Sequence, residues 1–257
     1  MTGSSLFDVA GRLALVTGSN RGLGHALARG LVEAGAHVVV HGRDEAAVAA
    51  AADGLRALGG GEVSTVTFDV TDARAVAAAL EDLVERVGVP DILVNNAGVQ
   101  RRAPFTEFDA ADWDLVLATN LSSVFYVSKP VAAAMVGRGS GKIINIGSVQ
   151  SQLARQTIAP YSASKGGVAM LTKGMAADLS RYGIQVNAIS PGYFATEMNE
   201  ALWSDPASDD WVTKRTPAER WGKLDELIGT LLFLASDASS FVTGQNIFVD
   251  GGMTAVV

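Results

Sequence analysis

The chain has 257 residues, with 27 acidic against 20 basic side chains and a formal net charge of −7. That balance argues against non-specific nucleic-acid binding. Apolar residues make up 48% and charged residues 18%, the composition of a globular chain able to fill one large core. The absence of cysteine excludes disulfides, thiolate zinc sites and cysteine nucleophiles. His25, His37 and His41 have no metal-ligand spacing and lie too early for a histidine triad late in the chain.

The N-terminus, Met1 to Asp8, has no basic start and no apolar targeting core. The longest apolar candidate, Ile228 to Ala235, is too short to span a membrane. A soluble, cytoplasmic protein without membrane attachment is expected. Short apolar runs then alternate with longer amphipathic segments. Predicted strands cover residues 13–17, 37–41, 63–68, 92–95, 142–147, 185–190 and 247–249. Nearly continuous apolar runs such as Leu13-Ala-Leu-Val16 suit strands buried on both faces of a parallel sheet. Between the first two strands, Leu23, Leu27, Leu31 and Ala34 keep a helical period, and Gly35 marks its stop. Val76, Leu80, Leu83 and Val87 repeat the pattern ahead of Gly88. The alternation predicts an α/β fold: one doubly wound, Rossmann-like domain over residues 1–257, with a seven-stranded, mostly parallel sheet and helices on both faces. Residues 195–217, with Trp203 and Trp211, break the rhythm and read as a helical flap over a substrate, or as an exposed insertion.

The first turn after a strand reads Thr17-Gly-Ser-Asn-Arg-Gly-Leu-Gly24. Gly18, Gly22 and Gly24 let the backbone turn tightly and let phosphate oxygens approach its amides, and the helix N-terminus adds partial positive charge. Asn20, Arg21 and Leu23 lie in the same loop. The second strand ends in Gly42, which has no carboxylate for a ribose hydroxyl, and Arg43 follows. A cation there opposes the helix dipole, and a 2′-phosphate shared with Arg21 would give it a reason. NADP is therefore favoured over NAD, with Asp44 read as a helix cap. Asp69 and Val70 close the third strand, where they could meet an adenine; Asp69 reads equally well as a cap for the next helix. Asn95, Asn96, Ala97 and Gly98 end the fourth strand at the edge where open sheets bind ligands, as a ribose support, a sheet brace, or both.

Tyr161 and Lys165 stand four residues apart, one above the other on a helix face, and Ser148 precedes them. A neighbouring ammonium is expected to lower the phenol's pKa, making the pair a general acid/base with Ser148 as donor to the reacting oxygen. By themselves the two side chains read first as a Tyr and a Lys on a surface helix, and the rest of the chain reverses that. Arg101 and Arg102 follow the fourth strand, where a guanidinium could clamp a carboxylate or, alternatively, face solvent or another subunit. Gln150 could bond sugar hydroxyls. Gly166 and Gly167, inside one helix, suggest a close approach of a partner backbone.

Taken together, Thr17-Gly-x3-Gly-x-Gly24, Asn95-Asn-Ala-Gly98, Asn120, Ser148, Tyr161-x3-Lys165, Pro191-Gly192 and Asp250-Gly-Gly252 resemble the short-chain dehydrogenase/reductase family across nearly the whole chain. The resemblance implies a catalytic tetrad of Asn120, Ser148, Tyr161 and Lys165. Asn120 would support a relay water, and Lys165 would also bind the nicotinamide ribose. Pro191, Gly192, Phe194 and Thr196 would hold the nicotinamide amide and pyrophosphate. The stretches around Arg101-Arg102, Ser148-Val-Gln-Ser151, Pro191 to Met198 and Arg215 to Gly222 are similar to the gluconate 5-dehydrogenase branch. That branch interconverts 5-keto-D-gluconate and D-gluconate, generally with NADPH, and Tyr193 would join Arg101, Arg102 and Gln150 around the substrate. Other branches acting on 2-dehydro-3-deoxy-gluconate, polyols or 3-oxoacyl groups are the enzymatic alternatives, and a non-catalytic NADP sensor is the alternative of another class. The family resemblance also implies a homotetramer, with the tail Met253 to Val257 as an interface or a frayed end.

Overall fold

The computed structural model describes residues 6–196 and 199–256, the side chain of Ala201 excepted. The first five residues, Glu197, Met198 and Val257 lie outside them. The chain runs β1 (Leu13–Val16), α1 (Gly22–Glu33), β2 (His37–Gly42), α2 (Glu45–Arg56), β3 (Val63–Thr67), α3 (Ala73–Arg86) and β4 (Ile92–Asn95). It continues through α4 (Ala110–Leu117), α5 (Ser123–Arg138), β5 (Gly141–Ile146), α6 (Ala159–Leu179) and β6 (Ile184–Pro191). It ends with α7 (Glu200–Trp203), α8 (Pro206–Arg215), α9 (Ile228–Ala235) and β7 (Asn246–Val249).

The strands form one sheet in the order β3-β2-β1-β4-β5-β6-β7. Every pairing is parallel, so the exception allowed for in the sequence is not used. Strand side chains alternate between the sheet's faces. Ala14 and Val16 of β1 join one core with Leu27, Leu31, Val40 and Leu231. Leu13 and Leu15 join the other with Leu80, Leu83, Val131 and Met135. Burial on both faces is why these strands read as unbroken apolar runs. The helix stops are also as read: Gly35 (φ 85°) and Gly88 (φ 121°) take the left-handed backbone that ends a helix without Cβ strain.

The strand ends differ from expectation by one residue in several places. β1 ends at Val16; Thr17 still donates its N–H to the Val94 carbonyl (3.0 Å), and its hydroxyl accepts the N–H groups of Asn96 and Ala97. Gly141 joins β5 by pairing with Ile184, and Pro191 joins β6 opposite Val249. Apolarity marks what is buried, whereas pairing decides where a strand stops.

The strand order reverses between β1 and β4, which opens a crevice at their carboxyl ends. The glycine loop, the ends of β2 to β5 and the turn after β6 all face that edge. Gly167 has its close neighbour within the same chain: a Cβ there would come 2.7 Å from Leu121. A Cβ at Gly166 would meet nothing within 4 Å in the same chain.

Candidate active site

The glycine loop is tied down from below. The Gly18 N–H donates to Nδ1 of His41 at 2.9 Å, and the His41 N–H donates to the Ser19 hydroxyl at 2.9 Å. Asn96 Nδ2 donates to the carbonyls of Thr17 (2.9 Å) and Gly18 (3.1 Å). Gly24 packs so closely that a Cβ would collide with Gly18 O and Asn96 Nδ2. Gly22, at φ 57°, faces open space instead. Helix α1 starts here with Arg21 as an extended N-cap residue, no side-chain cap and no acidic residue in the first turn. Its first N–H groups are thus available to an anion. Leu23 turns towards the core, and Asn20 packs beside Gly42.

At the tip of β2, Asp44 caps α2 by accepting the Ala47 N–H at 2.8 Å. Arg43 stays 72% exposed, 3.6 Å from Asp69 Oδ2. Asp69 does not cap α3: Asp72 does, accepting from Arg74 and Ala75. Asp69 accepts instead from the N–H and hydroxyl of Thr71 (2.8 and 2.7 Å). Burial pushes its carboxyl up, but the Thr71 donors and Arg43 outweigh that and hold it below its ordinary value. Val70 is buried. The two asparagines after Val94 divide their work. Asn95 braces the sheet, donating to Ser128 (2.9 Å) and Asn145 (2.8 Å), while Asn96 clamps the loop. Ala97 is bonded through its N–H to Thr17, and Gly98 lies against Asn120.

Ser148, Tyr161 and Lys165 come together at the end of β5. Ser148 follows Gly147 in extended backbone, and its hydroxyl accepts the Gln150 N–H at 3.1 Å. Lys165 Nζ donates to the Ile146 carbonyl at 2.7 Å and sits 5.6 Å from the Tyr161 ring centroid. Both cationic and phenolic groups are desolvated, and this reverses the expected electrostatics. Burial pushes the Tyr161 phenol above its ordinary value, although the Ser148 hydroxyl and the Arg102 charge pull it down. Burial also lowers Lys165 to about 8.

Asn120 lies in a π-helical turn, Ala118–Ser122, between α4 and α5. Its Oδ1 accepts the Val99 N–H (2.8 Å), and its Nδ2 donates to the Val99 carbonyl (3.0 Å) and the Ser164 hydroxyl (3.2 Å). Ser164 donates in turn to the Tyr161 carbonyl at 2.7 Å. Asn120 therefore links the loop after β4 to the helix turn that carries Tyr161. An interrupted helix at a functional site is common, and no apolar period announces one.

Around the mouth the two predicted arginines part company. Arg101 pairs with Asp112 at 3.0 Å. Arg102 lies in the field of Tyr161, Tyr193 and a third arginine, Arg155. Sequence reasoning missed Arg155, which sits in a loop with no period or motif to mark it. Its Nη1 is 3.5 Å from the Tyr193 hydroxyl, and its guanidinium lies 5.3 Å over the Trp211 ring. Tyr193 also meets Trp211 and Trp221 edge-on, at 5.9 and 5.7 Å. Residues 195–217 thus hold two short helices, α7 and α8, with Trp211 of α8 against Tyr193. Gln150 is buried, and its Oε1 has no hydrogen-bond partner. Gly192 lies against Asp250, and Phe194 is buried against Gly222. Thr196 offers its carbonyl to Asn199 and Trp203. Arg220 pairs with both carboxylate oxygens of Glu226 (2.6 and 2.8 Å) and so pins the local fold. A separate cavity of about 120 Å³ behind Tyr193 includes Arg220 and Asp250 but none of the tetrad. Among the described residues, no cluster of histidine and carboxylate side chains could hold a metal ion.

Comparison with known proteins gives this geometry its context. A family described as enoyl-(acyl carrier protein) reductase matches residues 18–254. Gluconate 5-dehydrogenase of Gluconobacter oxydans (strain 621H) is 52% identical over 99% of both chains. The chain belongs to the short-chain dehydrogenase/reductase family. It is also 49% identical to 5-keto-D-gluconate 5-reductase of Escherichia coli (strain K12), over 99% of this chain and 100% of that one. The crystal structure of a gluconate 5-dehydrogenase from Burkholderia cenocepacia J2315, in complex with NADP and tartrate, superposes with a TM-score of 0.96. It is 55% identical, covering 98% of this chain and 99% of that one. As a member of this family the chain is an NAD(P)-dependent oxidoreductase. Among the described residues no helix is long and apolar enough to cross a membrane.

Proposed function

We propose that this enzyme interconverts 5-keto-D-gluconate and D-gluconate with NADP(H). The observation that carries the reading is the position of Arg102, a cation without a carboxylate partner among the described residues, in the field of the Tyr161 phenol. A keto-sugar acid presents a reacting carbonyl and a carboxylate, which match those two groups. The full-length similarity to relatives named for this reaction agrees with it.

The residues present fit the dinucleotide. The uncapped start of α1 and the open face of Gly22 suit a pyrophosphate, and Gly18, Asn20, Arg21, Leu23 and Gly24 shape that loop. Gly42 leaves no acid at the β2 tip, while the exposed Arg43 suits a 2′-phosphate, so NADP is preferred to NAD. Asp69 and Val70 would border the adenine, Asn95, Ala97 and Gly98 the adjoining ribose, and Pro191, Gly192, Phe194 and Thr196 the nicotinamide end. NADPH, when bound, supplies the hydride to the carbonyl carbon. Ser148 and Tyr161 hold the carbonyl oxygen, and Tyr161 gives it a proton. A phenol pushed up by burial keeps that proton at neutral pH. Lys165 orients the phenol and would bond the nicotinamide ribose, with Asn120 supporting the proton's return path. Tyr193, Gln150 and Arg102 face the substrate, with Arg101 at the rim.

The same reading makes residues 1–257 one catalytic domain with a substrate flap at 195–217. It gives a cytoplasmic homotetramer assembled on α5 and α6, whose Phe125 and Met170 are 50% and 64% exposed. The zero cysteine count suits a reducing compartment. The decisive assay follows NADPH oxidation with 5-keto-D-gluconate against a panel of keto-sugar acids and polyols. Tyr161→Phe should abolish turnover while NADPH fluorescence still reports binding; undiminished turnover excludes Tyr161 as proton donor. Arg43→Ala should weaken NADPH far more than NADH, and equal losses would return the cofactor choice to NAD(P).

A further inference from the structure

Arg155 stands seven residues beyond Ser148, in the loop before α6. Three features single it out. First, no carboxylate among the described residues pairs with it or with Arg102, whereas Arg12, Arg86, Arg101 and Arg220 each hold one. Second, burial and then the nearby charge of Arg155 disfavour charge on Arg102, and an anion beside the pair would offset both. Third, the Arg155 guanidinium is held by aromatic groups, over Trp211 and against the Tyr193 hydroxyl, and among the described residues its remaining donors meet no protein acceptor. Alongside, the buried Gln150 Oε1 is an unused acceptor suited to a sugar hydroxyl.

We propose that Arg155 is a substrate-binding residue that, with Arg102, brackets the carboxylate of the keto-sugar acid, and that Trp211 of α8 positions its guanidinium. The inference rests on the proposed function and deepens it: the flap helix then sets affinity for acids over neutral ketoses. The Burkholderia relative was crystallised with tartrate, itself a hydroxy acid with two carboxylates.

Steady-state kinetics of Arg155→Gln should show KM for 5-keto-D-gluconate raised about tenfold or more, the loss expected for charge-assisted bonds to a carboxylate, with a much smaller change in kcat. The preference for the keto acid over a neutral ketose, read as a ratio of kcat/KM, should fall by a similar factor. Arg155→Lys should recover part of it, and Trp211→Leu should raise KM in the same direction by less. An unchanged preference ratio in Arg155→Gln overturns the proposal, as does an equal loss on both substrate classes. Calorimetry with D-gluconate separates this failure from that of the function itself. A wild type that reduces no keto-sugar acid, yet binds D-gluconate more tightly than Arg155→Gln does, retires the reaction and keeps the clamp. Equal binding by the two proteins overturns the clamp alone, and no binding by wild type overturns both.

Discussion

His41 links the fold to the cofactor loop, and its titration should be visible in stability. The ring is 2% exposed. Nδ1 accepts the Gly18 N–H, so the ring proton sits on Nε2, 3.1 Å from the Phe68 carbonyl. The Phe68 ring covers it at 4.0 Å. Burial lowers its pKa to about 4, against weaker raising effects of the Phe68 carbonyl and Asp69. The folded value lies below the unfolded one, so the unfolded chain takes up the proton first as pH falls. The contribution is complete above about pH 6.5 and is lost as pH falls through 4. A shift of this size gives a loss of about 2 kcal/mol by pH 5 and about 3 kcal/mol by pH 4. In a chain of this length 2 kcal/mol corresponds to a fall in Tm of roughly 4–8 °C. His41→Asn keeps an acceptor for Gly18 and cannot titrate there. Thermal unfolding from pH 7 to 5 should therefore decline steeply in wild type and much less in His41→Asn. Because His25 and His37 remain in both proteins, the difference isolates His41. Parallel curves would refute the reasoning.

Lys165, lowered to about 8, should impose a fall in ketone reduction above that pH as the ammonium beside Tyr161 is lost, and a rate that stays flat to pH 10 would contradict it. Asn120→Ala leaves the Val99 N–H and carbonyl and the Ser164 hydroxyl without their partner; a loss of about 1–3 kcal/mol in urea unfolding and a drop in kcat are expected. Gly24→Ala drives a methyl group into Gly18 O and Asn96 Nδ2, so NADPH binding should fall by fluorescence titration while far-UV circular dichroism stays that of the folded chain.

Much of this enzyme was legible before folding. Buried parallel strands must be apolar on both faces, so Leu13 to Val16 and Val38 to Val40 announced the sheet. Glycines are forced wherever φ is positive or backbones touch, so the loop from Gly18 to Gly24 announced itself too. The four-residue spacing placed Tyr161 and Lys165 on one helix face, because helix periodicity is local.

What escaped were properties that depend on surroundings. The chain alone specified Ser148, Tyr161 and Lys165, but burial, which only the packed fold creates, decided that the phenol is raised and the ammonium lowered. The order Arg101-Arg102 was plain in the sequence, yet only tertiary contacts with Asp112 and Tyr193 separated their roles and brought in Arg155 from over fifty positions away. Local geometry follows from neighbouring residues, whereas desolvation and charge pairing are set by whatever the fold brings near.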